Sequence, residues 1–176
     1  MALGDISLLR QDAFGGIGSR KHAVASGAAA SIKAGEFVLK TPGDPSVVVW
    51  TASNTAKPVV GTDYIVGLSA STSTDTVGAA GTVEIYPLIP GQVFLGNPTT
   101  PATFGTATTG VLTQATYDAL VGDRVLLRTS AAGVQTIEPT DGATYGLVIQ
   151  PLDITRYPGK VAFSINPGCD YLAKSS

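Results

Sequence analysis

The hydrophobic positions of this chain fall in short runs separated by glycine, proline and hydroxyl residues. The stretch Gly61–Pro98 shows the pattern most clearly. It predicts a strand at Tyr64–Leu68, a loop of Ser, Thr, Asp and Gly, a strand at Thr82–Leu88, a Pro90-Gly91 turn and a strand at Gln92–Leu95. These runs are rich in Val, Ile, Tyr and Phe, which suit a pleated, half-buried surface. The turns use Gly for positive φ and Pro for fixed φ.

Before this stretch, Ala34–Lys40 (AGEFVLK) reads as a strand behind a glycine turn. Thr41–Ser46 (TPGDPS) is a turn with two prolines, and Val47–Ala52 (VVVWTA) is a further strand with Trp50 as a core anchor. After it, Thr99–Val111 is an uncharged connector, and Thr113–Leu120 has the makings of one helical turn. The second half then echoes the first. Val121–Leu126 resembles Ala34–Leu39, Tyr145-Gly146-Leu147 aligns with Val66-Gly67-Leu68, and Gly159–Phe163 aligns with Gly81–Ile85. The expected fold is all-β: a small antiparallel β-barrel or sandwich, β-tulip-like or jelly-roll-like, of two similar β halves. The expected division is an arm at 1–33, a first β module at 34–98, a connector at 99–120 and a second module at 121–176 that packs with the first.

The arm reading comes from Met1–Lys33. Gly15, Gly16 and Gly18 interrupt any helix, and four basic residues face only Asp5 and Asp12. Its short apolar pairs are spaced for gripping a groove. Ile6, Leu8, Leu9, Arg10, Phe14, Ile17, Arg20 and Lys21 are therefore the candidate contact residues of a segment that orders on a partner.

Composition narrows the function. Only 14% of the 176 residues are charged, against roughly 25% in an ordinary soluble domain. Such a surface suits either a protein kept soluble by hydroxyls or a subunit whose faces are covered in an assembly, where charge would have to be desolvated. A net charge of −2 argues against a nucleic-acid partner. No apolar run is long enough to span a membrane, and the N-terminus does not read as a secretory signal. The single cysteine, Cys169, precludes an internal disulfide. A His-dependent triad would need His22 fixed near a nucleophile and a carboxylate, and it reads instead as a solvated histidine in a basic arm. The carboxylates stand singly in turns, so no catalytic residue, metal site or cofactor is assigned.

The run AGEFVLKTPGDPSVVVWTAS, followed by YIVGLSAS and GTVEIYPLIPGQVFL, resembles the head decoration, or cement, proteins of tailed bacteriophages. The likeness lies in Ala-Gly-x-x-Val opening a strand, Val-Gly-Leu before a Ser/Thr/Gly loop, and Gly-x-Val-x-Ile after it. It covers Lys33–Leu95, and Gly122–Ile165 in the echo. The resemblance implies a non-enzymatic virion protein on the outer capsid surface, made in the host cytoplasm and commonly a homotrimer, which clamps neighbouring major capsid protein subunits through an N-terminal arm. Deleting Met1–Lys33 would then abolish capsid binding and leave a folded oligomer. The alternative is a receptor- or carbohydrate-binding β-module of a tail fibre or bacterial surface protein.

Overall fold

A computed structural model describes residues 7–10, 18–24, 32–40, 48–49, 59–60, 64–89, 91–99, 113–129, 135–138 and 142–169. Trp50, Phe104 and most of the expected connector lie outside them. The elements, in order, are β1 (Ser7–Arg10), β2 (Arg20–Val24), β3 (Phe37–Lys40), β4 (Val48–Val49), β5 (Tyr64–Ser69), β6 (Gly81–Pro87), β7 (Val93–Gly96), α1 (Gln114–Asp118), β8 (Arg124–Thr129), β9 (Gln135–Glu138), β10 (Leu147–Ile149) and β11 (Val161–Ile165). A 3₁₀ turn follows at Pro167–Cys169.

The strands form two antiparallel sheets. One is ordered β2-β6-β5-β3-β4 and the other β1-β7-β11-β10-β8-β9. The fold is thus an all-β sandwich. Apart from β1, the chain completes one sheet before beginning the other, without the interleaving of a jelly roll. The larger sheet is not a closed barrel. Its β9 rim meets the chain just after β7 at one isolated parallel bridge, Pro98 to Ile137. There the Ile137 N–H donates to Asn97 O at 2.8 Å, and the Thr99 N–H donates to Ile137 O at 2.8 Å.

The expected echo is present as topology. Counting strands within each unit, β2–β6 and β7–β11 both lie in the order first, fifth, fourth, second, third. The hydrogen bonds repeat as well. Gly35 N–H donates to Ser69 O (2.9 Å), and Gly122 N–H to Ile149 O (3.0 Å). Ser69 N–H returns to Glu36 O (2.8 Å), and Ile149 N–H to Asp123 O (3.0 Å). Gly35 and Gly122 also share a positive φ, of 84° and 96°, which glycine adopts without steric cost.

Two expected boundaries move. The strand β7 opens the second unit; it does not close the first. The expected arm supplies β1 and β2, which are strands of the two sheets. The residue alignment also shifts at one point. Ser69 pairs with Ile85 and Ile149 with Phe163, so Gly67 corresponds to Leu147 and not to Gly146. A one-residue slip matters because it exchanges the two faces of a strand.

The main core lies between the sheets. Phe37 and Leu39 of β3 and Ile65 of β5 face Phe94, Leu127, Ile137, Leu147 and Phe163. The Phe37 ring meets Phe94 edge-on at 4.9 Å and Phe163 at 6.0 Å. Gln135, on β9 and 3% exposed, reaches across to the β3 backbone. Phe37 N–H donates to Gln135 Oε1 at 2.8 Å, and Gln135 Nε2 donates to Phe37 O at 3.2 Å. A satellite core of Val24, Ile32, Val38, Val66, Val83 and Ile85 fills the other side of the smaller sheet. Coverage on both faces is why β3 reads as an unbroken apolar run.

The units also solve the same local problem with different side chains. Where β5 and β10 diverge from their neighbours, the N–H of Glu84 or Ala162 needs an acceptor. Glu84 N–H donates to Ser71 Oγ at 3.1 Å, and Ala162 N–H to Tyr117 Oη at 2.9 Å. Tyr117 sits on α1, which Thr113 caps by accepting from the Thr116 N–H. Its hydroxyl donates to Gln150 O at 2.9 Å, and burial pushes its pKa up to about 12.

Phe37→Ala is expected to cost about 3–5 kcal/mol in chemical denaturation, as for other buried Phe truncations. Tyr117→Phe is expected to cost about 1–3 kcal/mol by orphaning the Ala162 N–H and the Gln150 carbonyl. Val77→Ala, at a position 91% exposed, is the control and should stay within about 0.5 kcal/mol.

Candidate interaction surfaces

Among the described residues no group of three or more His, Cys, Asp or Glu side chains is placed to hold a metal ion. Among them, too, no helix is long and apolar enough to cross a membrane. The surface features that stand out are a basic sheet edge and a braced neutral loop.

The basic edge is β2. It pairs with β6 in register from Arg20 opposite Ile85 to Val24 opposite Gly81, and it ends the smaller sheet. Arg20 and Lys21 are exposed and Val24 is buried. His22 is partly buried, because its place opposite Val83 puts it on the face of the satellite core. Burial lowers its pKa from the ordinary 6.5, and the charges of Lys40 and Arg20 lower it further. It is therefore a strand histidine held toward its neutral form, and the expectation of a solvated arm histidine is corrected. Lys21 stands opposite Glu84, which also accepts from Ser19 Oγ at 3.4 Å.

The neutral loop is Ser71–Ala80. Its tip is a two-residue turn in which Thr76 N–H donates to Ala79 O (3.1 Å) and Ala79 N–H to Thr76 O (3.0 Å). Gly78 takes φ 90°, which suits the third position of a type II turn. The base is braced by two segments, at Thr82 and at Ile32. Thr74 N–H donates to Thr82 O at 2.9 Å, Thr82 N–H to Thr74 Oγ1 at 3.0 Å, and Ile32 N–H to Ser73 Oγ at 3.0 Å. Ser73 Oγ in turn donates to Asp75 Oδ1. The only charged residue of the loop is thereby buried, and the tip shows solvent only Thr, Val, Gly and Ala.

The structure separates the eight expected contact residues. Ile6, Phe14 and Ile17 lie outside the described residues. Leu8, Leu9 and Arg10 belong to β1, whose backbone pairs with β7 in the larger sheet. Arg20 and Lys21 belong to the smaller sheet. Removal of Met1–Lys33, expected to leave a folded body, would take a strand from each sheet. That segment contains β2 and both Val24 and Ile32 of the satellite core. The bracing of the loop by Ile32 went unread in the sequence, because nothing local to Ser73 points 41 residues upstream.

Comparison of the chain with protein-family models, with curated proteins and with solved structures gives no match.

Two titrating groups oppose one another. The depressed pKa of His22 means that folding loses stability as pH falls below about 6.5. Glu36 has the opposite sign: burial raises its pKa above 4.5, against the Lys33 N–H bond and the Lys33 charge. Its folded form holds the proton longer, so stability is lost as pH rises above about 4.5. Denaturation between pH 4 and 7 should therefore show Glu36→Gln losing stability more steeply than the parent on acidification, and His22→Gln less steeply.

Proposed function

We propose that this chain is a structural protein that decorates and cements a bacteriophage head. In this reading it sits on the outer capsid surface as a homotrimer, binds neighbouring major capsid protein subunits and stabilises their contacts. It performs no chemical turnover and needs no cofactor, nucleic acid or membrane.

The observation that carries the reading is the loop Ser71–Ala80. The loop is braced by hydrogen bonds with Ile32 and Thr82 of the same chain, and its only carboxylate, Asp75, is buried. A hydrogen-bonded protrusion whose exposed residues carry no charge has little conformational entropy to lose and little exposed charge to desolvate when another surface covers it. That favours an assembly contact over a solvated loop. The motifs Ala34-Gly35-Glu36-Phe37-Val38, Val66-Gly67-Leu68 and Gly81-Thr82-Val83-Glu84-Ile85, which carry the resemblance to cement proteins, form the frame on which this loop is mounted. A stable contact of this kind buries about 1,200–2,000 Å², and cyclic symmetry repeats it around the trimer.

Light scattering on the full chain should give three times the 17.8 kDa protomer mass. The purified protein added to expanded heads that lack a decoration layer should appear on their outer surface by cryo-electron microscopy. A monomer that leaves such heads bare, and that binds a glycan array instead, would replace this reading with a carbohydrate-binding one seated on Tyr86, which is 50% exposed on β6.

A further inference from the structure

We propose that the outer edge of β2 is a docking site for an extended acidic segment of another polypeptide, which adds to the five-stranded sheet as a further antiparallel strand. The internal repeat supplies the first argument. In the second unit the strand equivalent to β2 is β7, and its outer edge is filled by β1, antiparallel, with Ser7 opposite Leu95 and Leu8 opposite Phe94. The same five-strand unit thus occurs twice, once with its first edge extended by a sixth strand and once, among the described residues, with that edge open. What the fold accepts at one copy it can accept at the other, because an edge strand presents the same row of N–H and C=O groups in both.

Charge supplies the second argument. Arg20 and Lys21 are exposed on β2, and Glu84 is the one carboxylate that the β6 register sets opposite them. His22 beside them is held toward neutrality by burial and by the charges of Lys40 and Arg20. Two cations against one carboxylate leave the edge positive, in a chain whose net charge is −2. Opposite charges across neighbouring strands stabilise the pair and like charges oppose it. A second β2 from another copy, or a second β1 carrying Arg10, would bring basic residues to a basic edge. Arg20 and Lys21 are consecutive and point to opposite faces of the sheet, so a strand with carboxylates at neighbouring positions, one for each face, is the complementary occupant.

The proposal rests on the cement reading only for the partner's identity, which in that reading is the major capsid protein. The test is amide hydrogen exchange across Arg20–Val24 in the 176-residue chain, with a peptide of repeated Thr-Glu-Glu and with its Thr-Lys-Lys counterpart. The acidic peptide should slow exchange at β2, and the basic one should not. Arg20→Glu with Lys21→Glu should weaken binding of the acidic peptide by roughly tenfold or more and admit the basic one. Equal slowing by both peptides, slowing only outside β2, or slowing that depends on protein concentration alone would each overturn the proposal. The comparison of peptides on the parent protein decides the matter even if the double variant fails to fold. Decorated heads without peptide docking would sink this inference alone, whereas peptide docking with bare heads would sink the cement reading alone.

Discussion

The sandwich depends on one contact, that of Phe37 with the opposite sheet. Its ring is enclosed by Phe94 and Phe163, and its backbone N–H and C=O are both satisfied by the Gln135 amide. Burying the ring contributes most, at about 1.5–3 kcal/mol for a side chain of this size. The aromatic geometry adds about 0.5–1.5 kcal/mol per pair. The amide bonds add less net stability but set the register. A buried peptide group left unpaired costs about 1–3 kcal/mol, so any displacement of β3 along β9 is penalised twice. Apolar burial holds the sheets together, and the glutamine fixes where they sit.

With that contact in place, the rest of the molecule is a five-strand unit built twice. The copies share glycine turns, cross-strand bonds and strand order, and they differ where each meets a different neighbour. Glu84 and Ala162 occupy equivalent places, yet one lies on a partly open strand and the other is fully buried. The acceptor for each N–H follows from that environment. A short serine from an adjacent loop suffices beside Glu84. Beside Ala162 a tyrosine arrives from α1 and brings its own apolar ring to the core.

The same asymmetry governs the surface. The second unit covers its first edge with β1 and ties its rim to the chain after β7. The first unit presents β2 with its cations, together with a neutral loop braced by Ile32 and Thr82. Carboxylate burial in that loop is tolerated because the Ser73 hydroxyl accompanies it. In the proposed assembly role, these are the surfaces that other chains would cover.

Local residue pattern determined the individual strands. Alternation and β-branched runs marked β3, β5, β6 and β7, and Gly35 and Gly122 marked equivalent turns, because each is a property of neighbouring residues. The low charge and the duplication were also legible from composition and short motifs. Strand partnership was not. The segment Arg20–Val24 is short, polar and basic, and it becomes a strand only because β6 offers it an edge and the satellite core takes Val24. Likewise no local signal could say that β7 belongs with the second unit, that Gln135 would bond Phe37 from 98 residues away, or that Tyr117 would close the β10–β11 ladder. Those are decided in the tertiary structure, where a buried backbone group takes its acceptor from whichever part of the chain packing brings within reach.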